Sequence, residues 1–190
     1  MSVMTAPEVW SDSGRTLTVE DMENMPDDEF RYELDDGVLI VSPAPSNRHQ
    51  LAVFRLAQIL DAVCPPELLV LPGPGVNLSR HQHRVPDVAV VRADSMDTVF
   101  QERPPALAVE VASPRTRLYD RLRKKDVYER FGIVSYWIVN PNADKPSVTV
   151  FELRGGRYEE AAYVTGDEAF TATLPFGVTV IPAALVRAGR

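Results

Sequence analysis

The chain has 190 residues, 45% of them apolar and 25% charged; these are ordinary globular values that exclude wholesale disorder and suit one domain with its own core. A formal net charge of −7 excludes a protein that coats nucleic acid by bulk positive charge, and the lone Cys64 excludes an intrachain disulfide framework or a cysteine-only metal cluster. Apolar runs fall short of the roughly 18 residues of a membrane span and no basic-then-apolar leader is visible, so a cytoplasmic protein without membrane contact is expected.

Residues 1–15 read as a loose leader and 16–190 as a single domain. Thr18 offers an N-cap for a short helix, VEDMENM, ended by Pro26. The alternating stretch FRYELDDGVLIVS holds the turn signal Asp36-Gly37, which predicts a hairpin from about Phe30 to Val41. Ser46 then caps a helix, NRHQLAVFRLAQILDAV, with Val53, Leu56, Ala57 and Leu60 at helical spacing and His49 one turn earlier on the same stripe. Pro65 and Pro66 end it. A short strand and a proline- and glycine-rich loop, ELLVLPGPGVNLS, lead through RHQHR to the strands VPDVAVV (85–91) and ALAVEVAS (106–113).

After SPRT a helix is predicted over 117–131, followed by the apolar strand IVSYWIVN. Strand, helix, strand with short connections is a βαβ unit, so those two strands should be parallel neighbours. The tail SVTVFELRGGRYEEAAYV reads as a hairpin about Gly155-Gly156, and FTATLPFGVTVI as one more strand or two.

Two carboxylates interrupt strands otherwise suited to a core. In ALAVEVAS, Leu107, Val109 and Val111 share one face, while Glu110 lies on the other between Ala108 and Ala112, which leave space beside it. A charge buried there costs several kcal/mol or more unless it is paired or metal-bound. Asp87 follows Pro86 at the start of its strand, where a turn or cap role is a plainer account; a structural ion pair is the plainer account of Glu110. One divalent cation would explain both acids together. Magnesium commonly takes one or two carboxylates plus water and phosphate oxygens, which points to phosphodiester chemistry.

The stretch from Arg115 to Arg130 holds seven basic residues against three acidic ones, a local +4. A solvated helix face with ion pairs accounts for such a run. On a helical wheel Lys124 falls on the face of Val127, Tyr128 and Phe131, with Asp120 one turn earlier. Lys125 points away beside Arg121 and Glu129. Lys124 is therefore the inward lysine, either a core-edge group paired with Asp120 or a cation near reacting charge. Asp87, Glu110 and Lys124 are expected to converge on one water-accessible pocket.

Other motifs are weaker. His81 and His83 could bind zinc from an extended segment but lack an obvious third ligand; a solvated loop near nucleic acid is the competing account. Ser113 with His49 lacks a nucleophile elbow, and PGPG lacks the Lys-Ser/Thr of a phosphate-binding loop. Tyr128, Tyr136 and Trp137 read as core. Three function classes remain: a magnesium-dependent nuclease, a non-catalytic dimeric interaction or nucleic-acid-binding module, and a glycosidase-like acid pair.

The segments RYELDDGVLIVSPAPSNRHQ, VPDVAVV and LAVEVASPRTRLYDRLRKKDVYERFGIVSYWIVNP together resemble the Uma-two family of restriction-endonuclease-like proteins, within the PD-(D/E)XK nuclease superfamily. The resemblance runs from about Thr16 to Leu185. It implies an α/β fold: a restriction-endonuclease-like core with a central mixed β-sheet flanked by helices, plus N-terminal and C-terminal β-hairpins. Asp87 matches the Pro-Asp aspartate and Glu110 the second acid. The superfamily's usual lysine position is Ala112 here, and Tyr119, Asp120 and Lys124 match a Tyr-Asp-x-x-x-Lys stretch that supplies the lysine from the following helix. Glu33 and His49 match further positions beside the cleft, and Asn140 stands where the family often has Asp.

The activity implied by the resemblance is DNA hydrolysis by metal-assisted water attack. Asp87, Glu110 and the Val111 carbonyl would hold Mg2+, with Mn2+ as a substitute, and no organic cofactor is expected. Arg115, Arg117, Arg121 and Lys125 would contact the phosphate backbone, and the protein would act as a homodimer.

Overall fold

The computed structural model describes residues 8–10, 16–22, 25, 30–113 and 120–187, except for the side chains of 8–10, 120 and 121. The first half contains β1 (Glu8–Trp10), α1 (Val19–Met22), β2 (Arg31–Asp35), β3 (Val38–Ser42) and α2 (Asn47–Asp61). Next come β4 (Leu68–Pro72), β5 (Val76–Ser79), β6 (Gln82–Arg84), β7 (Val88–Arg92) and β8 (Leu107–Val111). A π-helical turn, Asp120–Lys124, then runs into α3 (Lys125–Arg130). The chain continues as β9 (Ser135–Asn140), β10 (Ser147–Arg154), β11 (Arg157–Thr165), β12 (Phe170–Ala172), β13 (Val178–Val180) and α4 (Pro182–Val186).

These strands form a six-stranded mixed sheet, ordered β11-β10-β9-β8-β7-β4, a five-stranded sheet, β1-β3-β2-β6-β5, and a β12-β13 ribbon. In the mixed sheet β8 and β9 are parallel, as the βαβ pattern requires, and the other pairs are antiparallel. The side-chain period of two assigns its faces. Val88, Val90, Leu107, Val109, Val111, Trp137 and Val139 pack with Ala52, Leu56 and Leu60 of α2. Ala108, Ala112, Tyr136 and Ile138 pack on the opposite side with Val127 and Tyr128 of α3.

Ser46 caps α2 by accepting a hydrogen bond from the His49 N–H, and the buried residues of this helix lie along one stripe from His49 to Leu60. Asp36, at φ 48°, and Gly37, at φ 81°, make the tight turn joining β2 to β3, a conformation for which Asp-Gly is suited.

The expected N-terminal hairpin is present as β2–β3, and β6 pairs with β2 to extend it into the five-stranded sheet. The structure departs from the sequence reading in two places. RHQHR is no solvated loop: His83 is buried within β6. In place of one continuous α-helix over 117–131, the segment from Asp120 begins with a π turn, while residues 114–119 lie outside the described residues. No helix among the described residues is long and apolar enough to cross a membrane.

Candidate active site

The two sheets meet at the linker from β6 to β7, and the chemistry-bearing side chains collect there. Strand β2 supplies the first wall. Its alternation places Arg31, Glu33 and Asp35 on one face, while Leu34 and Tyr32 on the other face pack with Leu17, Met22 and Leu39. Val85 of the linker ties itself to that wall, donating its N–H to Glu33 Oε1 at 2.9 Å and accepting from Arg31 Nη1 at 3.3 Å.

Two residues further on is Asp87. Val88 pairs with Val109, so continuing the register by one residue sets Asp87 opposite Glu110. Asp87 Oδ2 accepts from the Val111 N–H at 2.7 Å and from His49 Nε2 at 3.0 Å. Its Oδ1 accepts from Arg31 Nη1 at 2.7 Å. These partners overcome burial, which by itself would raise the carboxyl pKa; the His49 hydrogen bond and the Arg31 charge hold it well below the usual range. Nδ1 of His49 is buried without a hydrogen-bond partner among the described residues.

Glu110 is held from α3 and from the π turn that leads into it. The Tyr128 hydroxyl donates to Oε1 at 2.8 Å, and Lys124 Nζ lies 2.9 Å from Oε2. The same ammonium is 3.1 Å from Glu33 Oε1. Burial raises the Glu33 pKa, but Lys124, Arg84 and Arg31 more than offset it and leave the group below its ordinary value. Burial, then the charge of Glu110, push the Tyr128 phenol well above its usual value. Tyr128 remains a neutral donor. Ala108 and Ala112 do leave room beside Glu110, and α3 fills it with this ring.

A second ionic layer fixes the helix that bears Lys124. Arg123 donates to both oxygens of Asp35 at 2.9 Å and to Asp36 Oδ2 at 2.5 Å. Arg84 Nη2 lies 2.6 Å from Asp35 Oδ1. Despite the opposing effect of burial, the Arg123 hydrogen bonds and the Arg84 charge lower the Asp35 pKa to about 2.

The structure thus gathers Asp87, Glu110, Lys124, Glu33 and His49 and sets Val111 against Asp87. It does not leave them in an open pocket: Asp87, Glu110 and Lys124 are only 4%, 2% and 3% exposed. Their mutual neutralisation makes that burial tolerable. Arg115 and Arg117 lie outside the described residues, as do the side chains of Asp120 and Arg121, so the expected Asp120–Lys124 pair falls there too. Lys125 does not point freely to solvent; its Nζ sits 4.6 Å from the centroid of the Phe151 ring, a cation–π contact.

His81 and His83 do not converge on a metal. The rings bond separately to the Leu17 carbonyl and the Asn77 side chain, at 2.8 and 2.7 Å. Asn140 donates to the Lys145 carbonyl and accepts from the Asn142 N–H, contacts that organise the β9–β10 turn. Sequence reasoning missed Arg31 and the polar role of Tyr128. The alternation of Arg31, Glu33 and Asp35 opposite Leu34 was the available signal for the first. Nothing in the sequence distinguished the Tyr128 hydroxyl from a core tyrosine.

Among the described residues no group of three or more His, Cys, Asp or Glu is arranged to hold a metal ion. Two facing carboxylates nevertheless fit magnesium in donor type, since water and phosphate oxygens commonly complete its shell. Among the described residues Asp87 Oδ1 accepts a single donor, which leaves it a second lone pair that they do not engage.

A family model described as "Putative restriction endonuclease" matches residues 19–184. In fold the chain is similar to a crystal structure of a "putative nuclease belonging to DUF820" from Anabaena variabilis ATCC 29413. The TM-score is 0.67 at 16% identity, covering 84% of this chain and 89% of that one. A comparison with curated proteins finds no match.

Proposed function

The chain belongs to the Uma2 family of restriction-endonuclease-like proteins, and from that membership we propose that it is a magnesium-dependent endonuclease cleaving phosphodiester bonds in DNA. The observation that carries this reading is the placement of Asp87 opposite Glu110, with Lys124 Nζ 2.9 Å from the latter. Asp87, Glu110 and the Val111 carbonyl are the residues that would hold Mg2+, or Mn2+ in its place. Such an ion, when bound, lowers the pKa of a coordinated water and stabilises charge on a phosphoryl group.

The chain's own groups supply orientation. His49 and the Val111 N–H fix one Asp87 oxygen, and Tyr128 fixes Glu110. Glu33 draws Lys124 to the side of Glu110 facing β2, where the ammonium would orient the attacking water or offset charge in the transition state. Preorganised donors of this kind are typically worth about 10²–10³ in rate. Arg115, Arg117, Arg121 and Lys125 would position the DNA backbone without reading sequence. A cytoplasmic homodimer is the assembly this reading assigns.

A second reading has an observation of its own. Both oxygens of Asp87 and both of Glu110 already face protein cations or hydrogen-bond donors, as they would in a catalytically inactive module that binds nucleic acid or a partner. Incubating supercoiled plasmid with the protein and millimolar Mg2+ or Mn2+ separates the two. Nicking that EDTA abolishes supports the enzyme; an intact plasmid and a melting temperature unmoved by metal support the module.

A further inference from the structure

We propose that Arg31 is a substrate-contacting residue of this site, its guanidinium fork gripping a DNA phosphate beside the two acids. The assignment takes its ligand from the nuclease reading. Its grounds are the way one side chain divides its donors. Nη1 has two hydrogens, and both are used, on Asp87 Oδ1 at 2.7 Å and on the Val85 carbonyl at 3.3 Å. Nε and Nη2, which form the side-on fork, have no partner among the described residues. A guanidinium serving only to neutralise Asp87 would be expected to engage it through two parallel bonds; this one does so through a single nitrogen.

Exposure points the same way. The Arg31 side chain is 33% accessible beside an Asp87 side chain that is 3% accessible. Among the described residues, the other cations acting on these acids are closed off from solvent: Lys124 lies between Glu33 and Glu110, and Arg84 is fully buried. Arg31 is thus the described cation beside the acids that solvent, and a solvent-borne phosphate, can reach. Burial works against its charge, but Asp87, Glu33 and Glu110 more than restore it, so the fork remains cationic at any pH at which DNA binds. Two parallel N–H groups in a plane match two non-bridging phosphate oxygens, and anchorage of Nη1 to Asp87 would set that phosphate next to the metal-binding acids.

The test separates charge from fork. Arg31→Lys keeps a positive group near Asp87 and removes the fork, whereas Arg31→Ala removes both. Binding of a short fluorescein-labelled DNA duplex is measured by anisotropy without metal, alongside melting temperature, and cleavage is then monitored in Mg2+. Arg31→Lys should keep the parent's melting temperature within a few degrees and weaken duplex binding by about tenfold or more, the loss of a charge-assisted pair. Cleavage should lose mainly through KM.

Parent-like binding by Arg31→Lys overturns the proposal, as does a parent that does not bind the duplex. A parent that binds through Arg31 but never cleaves leaves the contact standing and removes the nuclease reading. Should the lysine variant be unstable, the Arg31 Nε–H resonance of the parent decides. It must move on adding duplex, and an unmoved signal overturns the contact.

Discussion

Lys124 Nζ and Glu110 Oε2 lie 2.9 Å apart with both side chains buried, and the ammonium also reaches Glu33. Lys124→Ala would leave two buried carboxylates without their shared cation, a change that typically costs about 3–5 kcal/mol. Cleavage should fall by about 10²–10³. Lys125→Ala removes a cation–π contact with Phe151, worth about 0.5–1 kcal/mol, and one of four proposed backbone-positioning cations, and should cost far less cleavage than Lys124→Ala. Urea titration and plasmid cleavage of both variants check the pair. A larger activity loss at 125 than at 124 would show that the wrong lysine has been placed inside.

For the two acids, isosteric changes are more informative than alanine. Asp87→Asn and Glu110→Gln keep the volume but remove the charge that would hold a divalent ion. Both should reduce cleavage by about 10³ or more while native circular dichroism is retained. Asp87→Asn should be the less stable of the two. Its Oδ2 accepts from His49 and Val111, so the amide oxygen must stay there and the NH2 must face the Arg31 guanidinium. Cleavage at the parent's rate by either variant would remove it from the catalytic set.

Much of this architecture was legible because it depends on periodicity. The alternation of ALAVEVAS put Glu110 on the face opposite Val109, the helical wheel put Lys124 inward, and the strand–helix–strand pattern gave the β8–β9 parallel pair. The features that escaped depended on pairing between distant segments. Nothing local in RHQHR announces that β6 joins β2, or that Arg84 will be fully buried against Asp35. The alternation of β2 put Arg31 on the face of Glu33, but its pairing with Asp87, 56 residues away, had no local signal. The π turn at Asp120–Lys124 kept Lys124 inward without the continuous helix from which that orientation was read.

Tyr128→Phe tests the contact that the two alanines accommodate. The ring stays in its slot against Tyr136, 5.1 Å away, so packing is retained and only the donor to Glu110 Oε1 is lost. A hydrogen bond to a charged group typically contributes about 1.5–3 kcal/mol. Chemical denaturation should show a loss in that range with an unchanged m-value. A variant as stable as the parent would mean that Glu110 finds another donor and that Tyr128 is core alone.

Acid should unfold this protein in stages set by groups whose folded pKa values are depressed. Burial beside Phe100 holds His83 below its ordinary 6.5; as pH falls past that value the unfolded chain takes up a proton that the folded chain refuses, and stability starts to decline. Asp87 and Glu33 are also lowered, and Asp35 reaches about 2 against an ordinary 3.8. These carboxylates bind fewer protons folded than unfolded, so their contribution is complete above about pH 5 and disappears as pH falls through 4 toward 2. Urea midpoints measured from pH 8 to pH 3 should be level at first, slope gently below about 6.5 and drop steeply below about 5. Asp35→Asn should flatten the steep limb because one such proton is removed from the balance. A parent whose midpoint holds constant to pH 3 would show that the ion pairs around Asp87 and Asp35 do not hold these carboxyls in their charged form.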